Sequence, residues 1–126
     1  DTQLTFSQEI KMDGAIIVST PQEVALLDVK RGIKMFDKLG VQILGLVDNM
    51  SFFIGDDDKK YKIFGEGGVK KTAEEFQKKF LGEIPIFPEV GSCSDEGKPI
   101  VEANPSHQIS KIYLNFAEKI KKIYSV

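Results

Sequence analysis

LGLVDNMSFFIGDDDKKYKIFGEGG, residues 44–68, opens on an apolar run, meets Asp48-Asn49-Met50, and turns strongly polar before a glycine cluster at Gly65, Gly67 and Gly68. An apolar run bounded in this way reads as a strand covered on both faces, with polar residues presented where it finishes. The segment Val41–Val47 therefore predicts a strand that ends at Asp48-Asn49-Met50.

Outward from there the signals alternate. Gly14–Ser19, GAIIVS, is a short β-branched run stopped by Pro21, and from Gln22 to Leu39 the apolar residues Val24, Leu27, Ile33 and Phe36 recur at near-helical spacing before Gly40. After the polar stretch, Val69–Phe80 predicts an amphipathic helix, and Phe80–Ile86 a third strand with Pro85 near its end. Gln108–Tyr124 puts Ile109, Ile112, Leu114, Phe116, Ile120 and Ile123 on a broad helical face, with its lysines towards the end where the helix dipole favours them. Strands separated by helices imply an α/β fold, a parallel sheet with helices on both faces. Ligands of such sheets sit beyond the carboxyl ends of the strands, here Ser19-Thr20-Pro21-Gln22, Asp48-Asn49-Met50 and Pro85-Ile86-Phe87. The carboxamide of Asn49 can donate and accept, so it can read the edge of a purine; Asn is also a common turn residue, and position alone leaves both readings open.

The totals narrow the classes. With 126 residues, 41% of them hydrophobic, there is material for one core. Seventeen basic residues against nineteen acidic ones leave a net charge of -2, so nucleic acid is not an expected partner. The longest apolar runs, such as Ala15–Val18, fall far short of the roughly 20 residues that cross a bilayer, and the chain reads as soluble and cytoplasmic. Cys93 is the only cysteine, which excludes an intrachain disulfide.

Several motifs tempt without holding. Gly65–Thr72, GEGGVKKT, nearly matches the phosphate-binding pattern G-x-x-x-x-G-K-[ST], but Lys70 stands where the second glycine belongs and KKYKIF is too polar to be the buried feeder strand. A tight turn before a helix is the better account. Asp56-Asp57-Asp58 lacks the alternating oxygens and closing Glu of a calcium loop and reads as a solvated hairpin tip. His107 has no Cys or His near it in sequence and belongs to the lead-in of the last helix, and Cys93, between two serines without an identifiable base, reads as a loop thiol.

In their order, the blocks DTQLTFSQ, DGAIIVSTPQEVALLDVKRGIKMF, ILGLVDNMSFF, IFGEGGVKKTAEEF, FLGEIPIFPEV and SDEGKPIV closely resemble the C-terminal half of Mrp-type ATPases, iron-sulfur cluster carriers of the MinD/ParA group of deviant P-loop NTPases. The resemblance implies that residues 1–126 are the C-terminal portion of one nucleotide-binding domain whose phosphate loop lies in the other half. It implies that Asn49 contacts adenine, that Pro85, Ile86 and Phe87 lie against the base, and that Asp1 stands near magnesium and the γ-phosphate. Gln22 and Asp28 match positions that face a second subunit, so a homodimer or self-association is expected. ATP with Mg2+ is the implied cofactor pair of an ATPase parent; phosphoryl transfer needs a preorganised cradle, so this chain alone is expected to be inactive. The family's C-x-x-C pair is replaced by IGDDDKKYKIF, and carboxylates and lysines are poor substitutes for cluster-binding thiolates, which weighs against an iron-sulfur cluster. Two alternatives stand beside this reading: a non-catalytic interaction module that has lost nucleotide chemistry, and, with slight support from the lysine-rich C-terminal helix, a MinD-like membrane-site regulator.

Overall fold

The computed structural model describes residues 2–124, so Asp1 lies outside the described residues. In chain order the elements are α1 (Thr2–Glu9), β1 (Ala15–Ser19), α2 (Glu23–Leu39), β2 (Ile43–Ile54), β3 (Lys60–Tyr61), α3 (Gly68–Glu75), β4 (Phe80–Ile86), α4 (Pro88–Asp95), α5 (Ile100–Ala103) and α6 (Gln108–Tyr124). Strand β2 is central: it pairs in parallel with β1 on one side and β4 on the other, and its far end folds back against β3.

Side chains alternate across β2, so its apolar run feeds two cores. Leu46 points to the face of α2 and α3, where it packs with Val29, Ile33, Val69 and Ala73. Val47 points to the opposite face and joins Leu81, Ile84, Ile100, Ile109 and Phe116 beneath α5 and α6. The result is a three-layer α/β sandwich, as the alternation of strand and helix signals requires. Just before Leu46 and Val47 in β2, Gly45 is buried, and a Cβ there would stand 2.5 Å from Leu81 Cγ of β4, so the close approach of the two strands requires glycine.

Local chemistry explains the helix ends. Helix α2 carries Glu23 in its first turn and Lys38 in its last, and Gly40 closes it in a left-handed conformation while Val41 N donates to Phe36 O at 2.9 Å. Its buried stripe differs from the expected one. Val29 and Ile33, with Leu26, face the sheet, whereas Val24 and Leu27 are 74% and 59% exposed. Both registers satisfy a helical period; the strand beneath selects one. Helix α3 stops at Glu75 rather than Phe80, because Gln77 takes a positive φ of 57°. In α6 the stripe is Ile109, Ile112 and Phe116, and Leu114 is left half exposed.

The strand predicted to end at Asp48-Asn49-Met50 continues to Ile54. Its pairing with β1 stops at Asp48. Against β4 the register runs to Asn49 opposite Ile84 and resumes at Phe53 opposite Ile86, so β2 advances four residues while β4 advances two. The surplus is a bulge around Met50, whose φ is 55°. Beyond it, Gly55–Lys59 turn into β3, with Gly55 N donating to Lys59 O at 3.0 Å. Cys93, expected in a loop, lies on α4 and packs half-buried against the α5–α6 core.

Candidate functional site

The carboxyl ends of the three parallel strands converge on one rim. Ser19 stands opposite Asp48, Asp48 opposite Glu83, and Asn49 opposite Ile84, whose next residues are Pro85, Ile86 and Phe87. Asn49 is half-buried where the β1 pairing ends, and its Oδ1 accepts from Met50 N at 3.0 Å. That bond holds the carboxamide at the bulge and leaves Nδ2 as its donor face. Ser51 Oγ donates to Ile84 O at 3.3 Å and ties the bulge to β4. Pro85 is buried and Ile86 half-buried, while Phe87 meets His107 edge to face, with ring centroids 4.8 Å apart. The His107 Nδ1 in turn accepts from Ile109 N at 3.1 Å, at the start of α6. The structure thus places Asn49 opposite Ile84, the residue before Pro85, whereas Ile86 pairs beyond the bulge with Phe53 and Phe87 turns towards His107 on the α6 side.

Gln22 and Asp28 lie elsewhere, at the start and on the outer side of α2. Gln22 Oε1 accepts from Thr20 Oγ1 at 3.3 Å, and Asp28 pairs loosely with Arg31 at 3.9 Å, both side chains more than 80% exposed.

The glycine cluster behaves as a turn. Gly67, with φ 69°, caps α3, and Gly65, with φ 124°, sits so close to the β1–α2 turn that a Cβ would be 3.0 Å from Pro21 O. Thr72, whose hydroxyl would face magnesium in a true phosphate loop, is buried and donates to Gly68 O at 2.8 Å. The feeder strand is two exposed residues, Lys60 and Tyr61. These residues do not fit a phosphate cradle. At the acidic tip the Asp57 carboxylate accepts from the Tyr61 hydroxyl and from Lys59 N, and these bonds hold its pKa below the ordinary value.

Asp48 is the feature that reading along the chain assigned no role. It is 2% exposed, and its Oδ1 has no hydrogen-bond partner among the described residues. Its neighbour Ser19 has turned its hydroxyl to Thr20 O at 2.8 Å. Burial, and then the like charge of Glu83, push its pKa up to about 6, against a smaller opposing pull from Lys62, which is itself bound to Glu66. A charge inside an apolar run was the available signal; the cross-strand register that buries it was not.

An open parallel sheet with its polar groups gathered at the carboxyl strand ends defines a class, the ligand-binding three-layer α/β domains. The family model described as ParA, NUBPL iron-transfer P-loop NTPase, matches residues 1–121, and the chain belongs to that family. An iron-sulfur cluster carrier protein of Aquifex aeolicus is 43% identical over 124 residues, 98% of this chain and 34% of the relative. The nucleotide-binding protein of Archaeoglobus fulgidus, solved in complex with ADP, superposes with a TM-score of 0.66 at 36% identity, covering 75% of this chain and 40% of that one. The cell division ATPase MinD of Pyrococcus furiosus superposes with a TM-score of 0.68 at 25% identity, over 88% of this chain and 43% of that one. The chain spans about a third of the length of the curated relatives it matches. Among the described residues, no helix is long and apolar enough to cross a membrane.

Proposed function

We propose that the chain is the C-terminal, base-binding portion of an ATP-binding protein related to the iron-sulfur cluster carriers, working in the cytoplasm with ATP and Mg2+. The phosphate loop and the metal's ligands come from a part of the parent that this sequence does not contain. The observation that supports the reading is the position of the Asn49 carboxamide at the carboxyl end of β2, opposite Ile84 and so level with the start of Pro85-Ile86-Phe87, where open parallel sheets bind ligands. Nδ2 donates to an acceptor on the purine edge, and the apolar β4 end walls the ring. The solved relative from Archaeoglobus fulgidus, 36% identical, holds ADP.

In the intact protein Gln22 and Asp28 face a second subunit, and ATP-dependent dimerisation is the switch. An iron-sulfur cluster role rests on relatives alone, because the hairpin between β2 and β3 carries Asp56–Lys60 in place of thiolates.

The test is direct. In an intact parent carrying this sequence, Asn49→Ala weakens ATP binding about tenfold and narrows the preference for ATP over GTP, since losing one buried polar partner costs roughly 1–3 kcal/mol. Unchanged ATP affinity overturns the reading. The alternative of a non-catalytic interaction module draws on one observation, the Thr72 hydroxyl held inside α3 and with it the failed phosphate loop. An upstream reading frame encoding a glycine-rich phosphate loop removes that alternative.

A further inference from the structure

The bulge in β2 is a built feature of the rim. Between the pairs Asn49–Ile84 and Phe53–Ile86, Met50, Ser51 and Phe52 of β2 stand against a single residue of β4, Pro85. Proline has no N–H, so at that position β4 has no backbone donor to offer its neighbour. On the other strand Met50 N donates to the Asn49 side chain, at 3.0 Å from Oδ1. The carboxamide is therefore held by a backbone N–H whose direction depends on the bulge.

That backbone does not take its shape unaided. Met50 has a φ of 55°, a left-handed conformation that a non-glycine residue keeps only where its surroundings fix it. Its own side chain, 45% exposed, is too loosely packed to do so. The two residues that follow are the anchors. Phe52 is buried, and Ser51, 4% exposed, donates its hydroxyl to Ile84 O at 3.3 Å. Ile84 is also the residue that Asn49 faces across the sheet. Asn49 and Ser51 are thus both tied to one point of β4, the first by strand register and the second by its hydroxyl, and Met50 between them is forced out of the ladder.

We propose that Ser51 is a positioning residue of the base site: its hydroxyl keeps Met50 left-handed and so fixes the direction of the Asn49 carboxamide. The inference rests on the reading of Asn49 as the contact to the purine edge. Without the hydroxyl, Met50 relaxes towards extended backbone, its N–H leaves Oδ1, and the carboxamide turns among its rotamers. Recognition of the base weakens, whereas the grip on the phosphates, supplied by the rest of the parent, does not.

Nucleotide titrations of an intact parent carrying this sequence test it, with Mg2+ tripolyphosphate as the probe that has no base. Ser51→Ala is expected to weaken ATP binding about fivefold, the effect of one hydrogen bond, and to leave tripolyphosphate binding unchanged. In the Asn49→Ala background the same substitution costs no further ATP affinity, because the group it positions is gone. Ser51→Cys, which fills the space with a weaker donor, shows the same pattern and serves in place of Ser51→Ala if that variant does not fold. Equal losses for ATP and tripolyphosphate, or losses that add to those of Asn49→Ala, overturn the positioning role and make Ser51 a general support of the fold. Full ATP affinity in both Ser51 variants, with Asn49→Ala still weakened, overturns the role of Ser51 and leaves that of Asn49 standing. Full affinity in Asn49→Ala overturns both.

Discussion

Strand β2 is two different structures in one run of sequence. From Ile43 to Val47 it lies between two parallel neighbours and fills two cores; from Asp48 to Ile54 it carries a buried carboxyl, a residue with positive φ and a turn into an antiparallel hairpin. The first part is held by burial and gives stability. The second holds an unpaired polar atom and a backbone distortion, features that cost stability and gather where chemistry is done. The contrast teaches that the change from packed scaffold to distorted polar rim occurs within a single strand, at the residue where β1 stops pairing.

Substitutions along β2 sharpen or break that contrast. Leu46→Ala, at a fully buried position, is expected to remove about 3 kcal/mol of stability in urea denaturation. A loss below about 1 kcal/mol would mean that the first half is not the scaffold.

Two residues on, the sign reverses. Asp48→Asn is expected to stabilise the chain at neutral pH by on the order of 2 kcal/mol, because it removes a buried charge whose pKa stands near 6. The folded form retains the Asp48 proton through a range in which the unfolded chain has already lost it. Asp48 therefore favours folding below about pH 4, and that contribution drains away as pH rises to about 6 and is absent above. The stability difference between variant and wild type should grow across this window and then level off; a difference independent of pH would refute the assignment.

Smaller effects follow at the bulge. Met50→Gly relieves a left-handed conformation and is expected to gain up to about 1 kcal/mol, partly offset by the freer unfolded chain. Thermal melts of Asn49→Ala should move least, within about 0.5 kcal/mol, since its one bond is to the next residue's N–H. If Asn49→Ala instead unfolds the chain, the residue belongs to the scaffold and its loss of ligand affinity says nothing about a base.

Much of the first region could be read from residues alone. Ala15–Ser19, Phe80–Ile86 and Gln108–Tyr124 announce themselves because apolar period and turn chemistry agree. Helices α1, α4 and α5 did not. α4, PEVGSCSD, has weak propensity, with Gly91 and two serines, and its helix is stabilised by Val90 and Cys93 packing on a core built by distant segments. The far half of β2 was missed because Asn49 and Met50 look like a turn, and they do turn the backbone, yet Phe52 at 8% exposure draws the chain back into the sheet. At the site, the presence of Asn49 and of the β4 end at one rim followed from strand polarity. The burial of Asp48 depends on register with β1 and β4, which no single stretch encodes.

The tyrosine near the end of α6 carries a last consequence. Tyr124 donates its hydroxyl to Asp13 O at 2.8 Å, across 111 residues, just ahead of the first strand. During synthesis the entry to β1 therefore stays unlatched until α6 has been made. Shortening that helix by one turn should therefore loosen the entry to β1 as much as α6 itself, and amide exchange at Gly14 and Ala15 is the place to see it.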